Sequence, residues 1–271
     1  MQAPPPLTDR IALTRQRARA AGADFLRLAI RDEVEDRLTL VNRTFTVPAI
    51  VTARPDLWGS GAVCVPDDEV LALERGAHDL VIHDMALHWA NDPVGQLVQS
   101  RLALQPDGLL IATLFGGQTL HELRAVLAEA EVALTGGLSP RVAPMGEIRD
   151  LGALLQRARF ALPVADSTPF AVSYPDAHAL MRDLRAMGEG NALAARLRRP
   201  TRRAVMAEAA RLYAAAWGTP DGRIPATFEV VTLTGWAPAE SQPRPLRPGS
   251  AKTRLAEALK VPETPLDPSA D

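Results

Sequence analysis

The chain has 271 residues, 47% apolar and 23% charged, with a formal net charge of −2. This composition excludes collagen-like, coiled-coil and wholly disordered chains, and it supplies a core for one α/β domain with an added lobe or for two domains. The near-neutral balance gives no long-range field for gathering nucleic acid or anionic lipid.

Cys64 is the single cysteine, so an intramolecular disulfide and any Cys-cluster metal or iron–sulfur site are excluded, and a reducing, cytoplasmic setting is expected. Apolar runs such as Leu109–Phe115 fall far below the roughly 18 residues that span a bilayer. No transmembrane segment is therefore expected, and peripheral membrane association stays open. Of the 30 basic residues only Lys252 and Lys260 are lysines, and Ala numbers 46, a bias that reads mostly as genome composition. Arg15, Arg17 and Arg19 suggest an organelle transit helix, against which stand Asp9, Asp24 and the acid-rich stretch after Arg31.

Residues 1–8 are Pro-rich and 263–271 similarly biased, so both read as disordered tails. Between them one domain is expected over 9–262: an N-terminal helical lid (9–45), a sheet core (46–174), a helical insertion (175–224), and a last strand with a C-terminal cover (225–262). Apolar residues at helical spacing predict helices over Asp9–Ala29 and Asp32–Leu40. Short β-branched or apolar segments bounded by Pro, Gly or Asp predict strands at Val47–Thr52, Ala62–Val65, Leu80–His83, Leu109–Leu114, Pro169–Ser173 and Phe228–Thr234. Helices are expected at Pro93–Leu104, Leu120–Leu134, Ile148–Ala158, Asp176–Met187 and Thr201–Trp217. Such interleaving predicts a largely parallel sheet, with ligands at the carboxyl edge where Phe115-Gly116-Gly117 leaves it.

His78, His83 and His88, five residues apart, cannot converge on a metal without a bend, and no metal site is predicted. His88 titrates near neutrality when free, which suits an acid or base; its neighbour Trp89 reads equally as a hydrophobic plug. Glu122 and Arg124 flank a helix start that Thr119 is placed to cap, and they suit either a peptide arginine or each other. Glu189 and Asn191 lie in a Gly-rich loop, Tyr174 follows a strand, and Ser241-Gln242 begins a polar run expected to fold over the pocket. Arg196, Arg198, Arg199, Arg202 and Arg203 cluster around Pro200 without interleaved aromatics, which favours a solvated face or an acidic protein partner over nucleic acid.

The segments 78–83 and 85–92, together with 104–113, resemble the fourth strand, its following loop and the fifth-strand entry of the class I S-adenosylmethionine-dependent methyltransferase fold. Phe115-Gly116-Gly117-Gln-Thr119-Leu120, Gly137-Leu-Ser139-Pro140, Asp150-Leu151-Gly152, Met187-Gly188-Glu189-Gly-Asn191, Pro225-Ala226-Thr227-Phe228, Glu240-Ser241-Gln242-Pro243 and Gly249-Ser250-Ala251 together resemble bacterial relatives of the mitochondrial complex I assembly factor of methyltransferase fold, in register from about Asp9 to Leu259. Malonyl-carrier-protein methyltransferase is a more distant likeness. The resemblance implies a Rossmann-like sheet with N-terminal helices and a helical lobe between its last strands. It also implies a respiratory complex subunit as partner, and assembly help or arginine modification, by methyl transfer or hydroxylation, as the activity. For S-adenosylmethionine it points to Asp67, Asp68, Met85 and His88; for chemistry, to His88, Trp89, Glu122 and Tyr174. For substrate or partner it points to Gly116, Gly117, Thr119, Arg124, Glu189, Asn191, Ser241 and Gln242.

One segment departs from that pattern. A class I methyltransferase needs glycines after its first strand so that backbone amides approach the cofactor, whereas Val47–Gly59 has none in its turn, and Arg54 and Pro55 add bulk and remove a donor. Arg54–Gly61 is also too short for a helical crossover, so the sheet is expected to be truncated at its first βαβ unit. Pro66–His78 fits one short crossover helix, with Asp67 and Asp68 in its first turn. These residues predict weak or absent S-adenosylmethionine binding, and they leave a non-catalytic assembly chaperone as the alternative to an enzyme.

Overall fold

The computed structural model describes residues 5–243 and 253–262. The chain divides into two compact units, Met1–Ala239 and Glu240–Asp271. Within the first unit, α1 (Arg10–Arg17) and α2 (Phe25–Thr39) precede β1 (Pro48–Thr52), β2 (Val63–Val65) and β3 (His78–Asp84). Then follow α3 (Pro93–Ala103), β4 (Leu104–Phe115), α4 (His121–Thr135), α5 (Ile148–Arg157), β5 (Ala161–Tyr174), α6 (Ala177–Ala186), α7 (Arg203–Trp217) and β6 (Ile224–Trp236). The second unit, by itself, contributes α8 (Leu255–Leu259). No helix among the described residues is long and apolar enough to cross a membrane.

The fold is α/β, with a six-stranded Rossmann-like sheet in the order β2-β1-β3-β4-β6-β5. Pairing is parallel from β2 to β4, and β6 runs antiparallel to both β4 and β5. All six predicted strands are present and most are longer. Two helices precede β1 as predicted, but the break falls at 18–24, where Gly22 takes φ +76°, a conformation that costs a residue with Cβ.

Two connections differ from expectation. Residues 53–62 join the parallel strands β1 and β2 through only a short 3-10 turn at Pro55–Leu57, and 66–77 contains no helix; the crossover helix expected over Pro66–His78 does not form. One reason is that Asp67 is drawn to α1 instead of serving a helix start. The sheet face left without those helices is covered by α2. Val34 of α2 packs on Ile50, Leu80 and Ile82, while the opposite face buries Ala49, Val51 and Val81 with Leu97 of α3 and Leu155 of α5. This alternation follows the period-two geometry of a strand, and each fully buried aliphatic contributes about 1.5–3 kcal/mol.

Leu7 and Thr8, expected in the tail, are held. Thr8 bridges Leu193 and its amide donates to Asn91 Oδ1 at 2.9 Å. Residues 1–4, the Gly249-Ser250-Ala251 motif and the tail 263–271 lie outside the described residues.

Candidate functional site

The carboxyl ends of β1, β2 and β3 point under α1 and α2, and arginines from these helices reach into them. Asp84, ending β3, accepts hydrogen bonds from Thr52 Oγ1 (2.7 Å) and Trp58 Nε1 (3.2 Å) and lies 3.5 Å from Arg27 Nη1. Just beyond β2, Asp67 is buried and ion-paired with Arg10 at 3.2 Å and Arg17 at 2.5 Å. Burial would raise its pKa, but the two guanidiniums hold it below the ordinary carboxylate value. Arg54, in the turn after β1, is tied to Asp24 and Asp56.

These residues do not fit S-adenosylmethionine. The connection after β1 puts Arg54 and Pro55 directly behind the strand and has its glycines, Gly59 and Gly61, only on the approach to β2; Arg54 is pinned in place, and Asp67 and Asp84 beyond the strands are already paired with the chain's own arginines. The cavity beside Arg27, Met85 and Glu189 measures about 10 Å³, roughly room for a single water. Asp67 and Met85, singled out for cofactor, are enclosed here, whereas the Asp68 side chain is 70% exposed.

The neighbouring edge, past β4 and β6, is open. A cavity of about 220 Å³ is lined by Trp89, Phe115, Leu123, Met206 and Phe228, with Glu189, Asn191 and Thr119 among its polar groups. Glu189 joins the two edges. Its Oε2 accepts from Trp89 Nε1 (2.7 Å) and pairs with His88 Nε2 (3.3 Å), and its Oε1 accepts from Arg27 Nη2 (3.0 Å). Burial alone would raise the Glu189 pKa; the His88 hydrogen bond and the charges of His88, Arg27 and Arg17 outweigh it and hold it at about 2. The His88 ring lies against Trp89 and Phe115, with centroids at 5.6 and 4.8 Å. The arrangement can hold a fixed negative charge beneath an aromatic wall, next to an imidazole whose Nδ1 is buried without a partner.

The other predicted site residues are engaged in holding the scaffold. Glu122 is buried and accepts from the Thr227 amide and hydroxyl. Thr119 does not cap α4: its hydroxyl donates to the Glu229 carbonyl and accepts from the Glu229 amide, and Leu120 takes the cap position at φ +53°. Arg124 donates to the Thr119 carbonyl. A Cβ on Gly116 would approach Glu229 within 2.7 Å and Val231 Cγ2 within 2.8 Å, so this glycine serves close packing, whereas one on Gly117 would meet only the carboxylate end of the exposed Glu147. Tyr174 is buried, and burial beside Asp183 pushes its phenol up, keeping it neutral. Asn191 Nδ2 donates to the Pro140 carbonyl. Ser241 and Gln242 belong to the second unit. His78 and His83 separate, to the Val47 carbonyl and to Gln96, and no group of metal-ligating side chains occurs among the described residues.

Sequence reasoning missed Arg27 and Asp84, which were hidden in an amphipathic helix and an apolar strand. It also missed Glu131, which fixes the cavity wall: Arg141 pairs with it at 2.7 Å, and hydrogen bonds from Arg141 and Ser139 hold its pKa at about 2 against the opposing effect of burial.

No protein-family model matches the chain. It is 39% identical over 204 residues to arginine-hydroxylase NDUFAF5, mitochondrial, of Danio rerio, covering 74% of this chain and 62% of that protein. To the Homo sapiens protein of the same name it is 40% identical over 198 residues, covering 72% and 56%. With the malonyl-[acyl-carrier protein] O-methyltransferase of Xylella fastidiosa it shares 34% identity over 185 residues, covering 68% and 60%. The chain thus spans less than two thirds of the length of these relatives. Among solved structures, the YcgJ protein of Bacillus subtilis aligns with a TM-score of 0.43 at 10% identity, covering 66% of this chain and 73% of that one. By sequence, the chain is a homologue of the NDUFAF5 arginine-hydroxylases and, at lower identity, of malonyl-[acyl-carrier protein] O-methyltransferases.

Proposed function

We propose that this chain is a methyltransferase-like factor that engages a respiratory complex I subunit through the cavity past β4 and β6 and performs no methyl transfer from S-adenosylmethionine. The observation that carries the reading is the contrast between two adjacent edges. At the carboxyl ends of β1–β3 Arg27, Arg54 and Trp58 pair with Asp84 and Asp24 and crowd the edge, while the next edge keeps a cavity of about 220 Å³. The 40% identity to a protein named arginine-hydroxylase supports a subunit arginine as the group that is modified, if any is. The single Cys64 favours a reducing, cytoplasmic setting.

Gene deletion in the native host tests the reading. The expected result is loss of assembled NADH:ubiquinone oxidoreductase on native gels, restored by the chain. Normal assembly without the chain overturns it. Mass spectrometry of the assembled complex then separates modification from chaperoning, because rescue with every subunit arginine unmodified favours the chaperone.

A further inference from the structure

The basic run around Pro200, which the sequence left between a solvated face and a partner contact, reaches the cavity through Thr201. Thr201, in the middle of Arg198-Arg199-Pro200-Thr201-Arg202-Arg203, lines the cavity, as do Arg185 from α6 and Met206 from α7. Between Arg182 and Arg203 the chain carries seven arginines against Asp183 and Glu189, in a protein whose net charge is −2. Arg198, Arg199, Arg202 and Arg203 are exposed. Arg198 lies 3.5 Å from Asp9, but Arg185, Arg199, Arg202 and Arg203 make no ion pair among the described residues.

The mouth is preformed. Arg141 donates to Thr201 Oγ1 at 2.8 Å while holding Glu131, and Asn191 Nδ2 donates to the Pro140 carbonyl at 2.9 Å, so two loops are pinned together across the opening. A second cavity of about 250 Å³ shares Leu127, Arg141 and Val142 with the first and includes Leu138, which is 68% exposed. The two carboxylates near the opening are already taken, Glu189 by Arg27 and Trp89, and Glu131 by Arg141. An apolar cavity lined by Arg185 and by Thr201, which exposed arginines flank on both sides along the chain, matches an apolar anchor flanked by carboxylates.

We propose that the cavity and its arginine rim form a docking site for an acidic segment of a partner protein, which inserts one apolar side chain between Trp89 and Phe228 and sets its carboxylates on Arg185, Arg199, Arg202 and Arg203. The proposal rests on the partner-binding reading and names the chemistry of the segment bound. In interfaces of this kind the buried anchor supplies the affinity, and the rim charges set encounter rate and salt dependence.

The test is fluorescence anisotropy with labelled peptides in which a central Leu, Phe or Met is flanked on both sides by Asp and Glu. Binding is expected for at least one peptide, weakening about tenfold or more with Arg199→Glu/Arg202→Glu/Arg203→Glu and again as salt rises from about 50 to about 300 mM. Replacing the central residue by Ser, or filling the mouth with Thr201→Trp, is expected to abolish the preference for an apolar centre. Unchanged melting of each variant separates loss of docking from loss of fold. No binding at about 1 mM peptide, or binding indifferent to the charge reversals, overturns the proposal. Arginine-dependent sedimentation with phosphatidylcholine vesicles containing phosphatidylglycerol, without peptide binding, also overturns it and assigns the rim to a membrane. Should gene deletion abolish complex I assembly while no peptide binds, the docking proposal fails alone.

Discussion

Arg27 Nη2 donates to Glu189 Oε1 at 3.0 Å while its Nη1 lies 3.5 Å from Asp84 Oδ2, so one guanidinium ties α2 both to the end of β3 and to the loop after α6. All three side chains are at most 9% exposed. Removing one member of a buried charged group leaves the others uncompensated, a loss of about 3–5 kcal/mol. Arg27→Ala is accordingly expected to lower unfolding stability by that amount in urea titrations; a loss below about 1 kcal/mol, typical of exposed pairs, would contradict the assignment.

Acid should weaken the fold through the two cavity-wall carboxylates. Glu189 and Glu131 have folded pKa values of about 2 against an ordinary 4.5. For a depressed carboxylate the stabilisation is present above the unfolded pKa and lost as pH falls through the folded one. Each therefore contributes up to about 3 kcal/mol at neutral pH, lost between about pH 4.5 and pH 2. Stability measured from neutral pH down to about pH 3 should fall steeply in the parent chain and less steeply in Glu189→Gln. Parallel curves would contradict the ionised, buried state of Glu189.

Asp67 anchors α1 through Arg10 and Arg17. In Asp67→Asn Arg17 loses its paired carboxylate and Arg10 keeps only the exposed Asp68 at 3.9 Å, and amides of α1 are expected to exchange with deuterium at least about tenfold faster, which corresponds to about 1.4 kcal/mol of local opening. Exchange in α4 should stay unchanged. Equal acceleration in both helices would mean global destabilisation instead.

The strands were legible because apolar β-branched runs between Pro, Gly and Asp have few alternatives, and the carboxyl edge followed from their alternation with helices. The missing crossover was legible too, because Arg54–Gly61 is too short for a helix. What filled the gap was not. Arg10, Arg17 and Arg27 read as ordinary polar faces of amphipathic helices, and their partners Asp67, Asp84 and Glu189 lie 50 to 162 residues further along the chain, distances over which a sequence pattern carries no pairing signal. Asp67 and Asp68 in sequence suggested a helix start and a ribose ligand, yet burial under α1 made Asp67 an ion-pair partner. Thr119 suggested a cap, but the approach of β6 drew its hydroxyl to Glu229.

Arg27, Arg54 and Trp58 crowd the carboxyl ends of β1 and β3, from which we infer that the chain does not bind S-adenosylmethionine. Isothermal titration with S-adenosylmethionine tests it directly, on the parent chain and on Arg54→Gly, which opens the turn but leaves Arg27 and Trp58 in place. No binding heat is expected from either protein at ligand up to about 1 mM; a dissociation constant in the micromolar range for the parent chain would contradict the account.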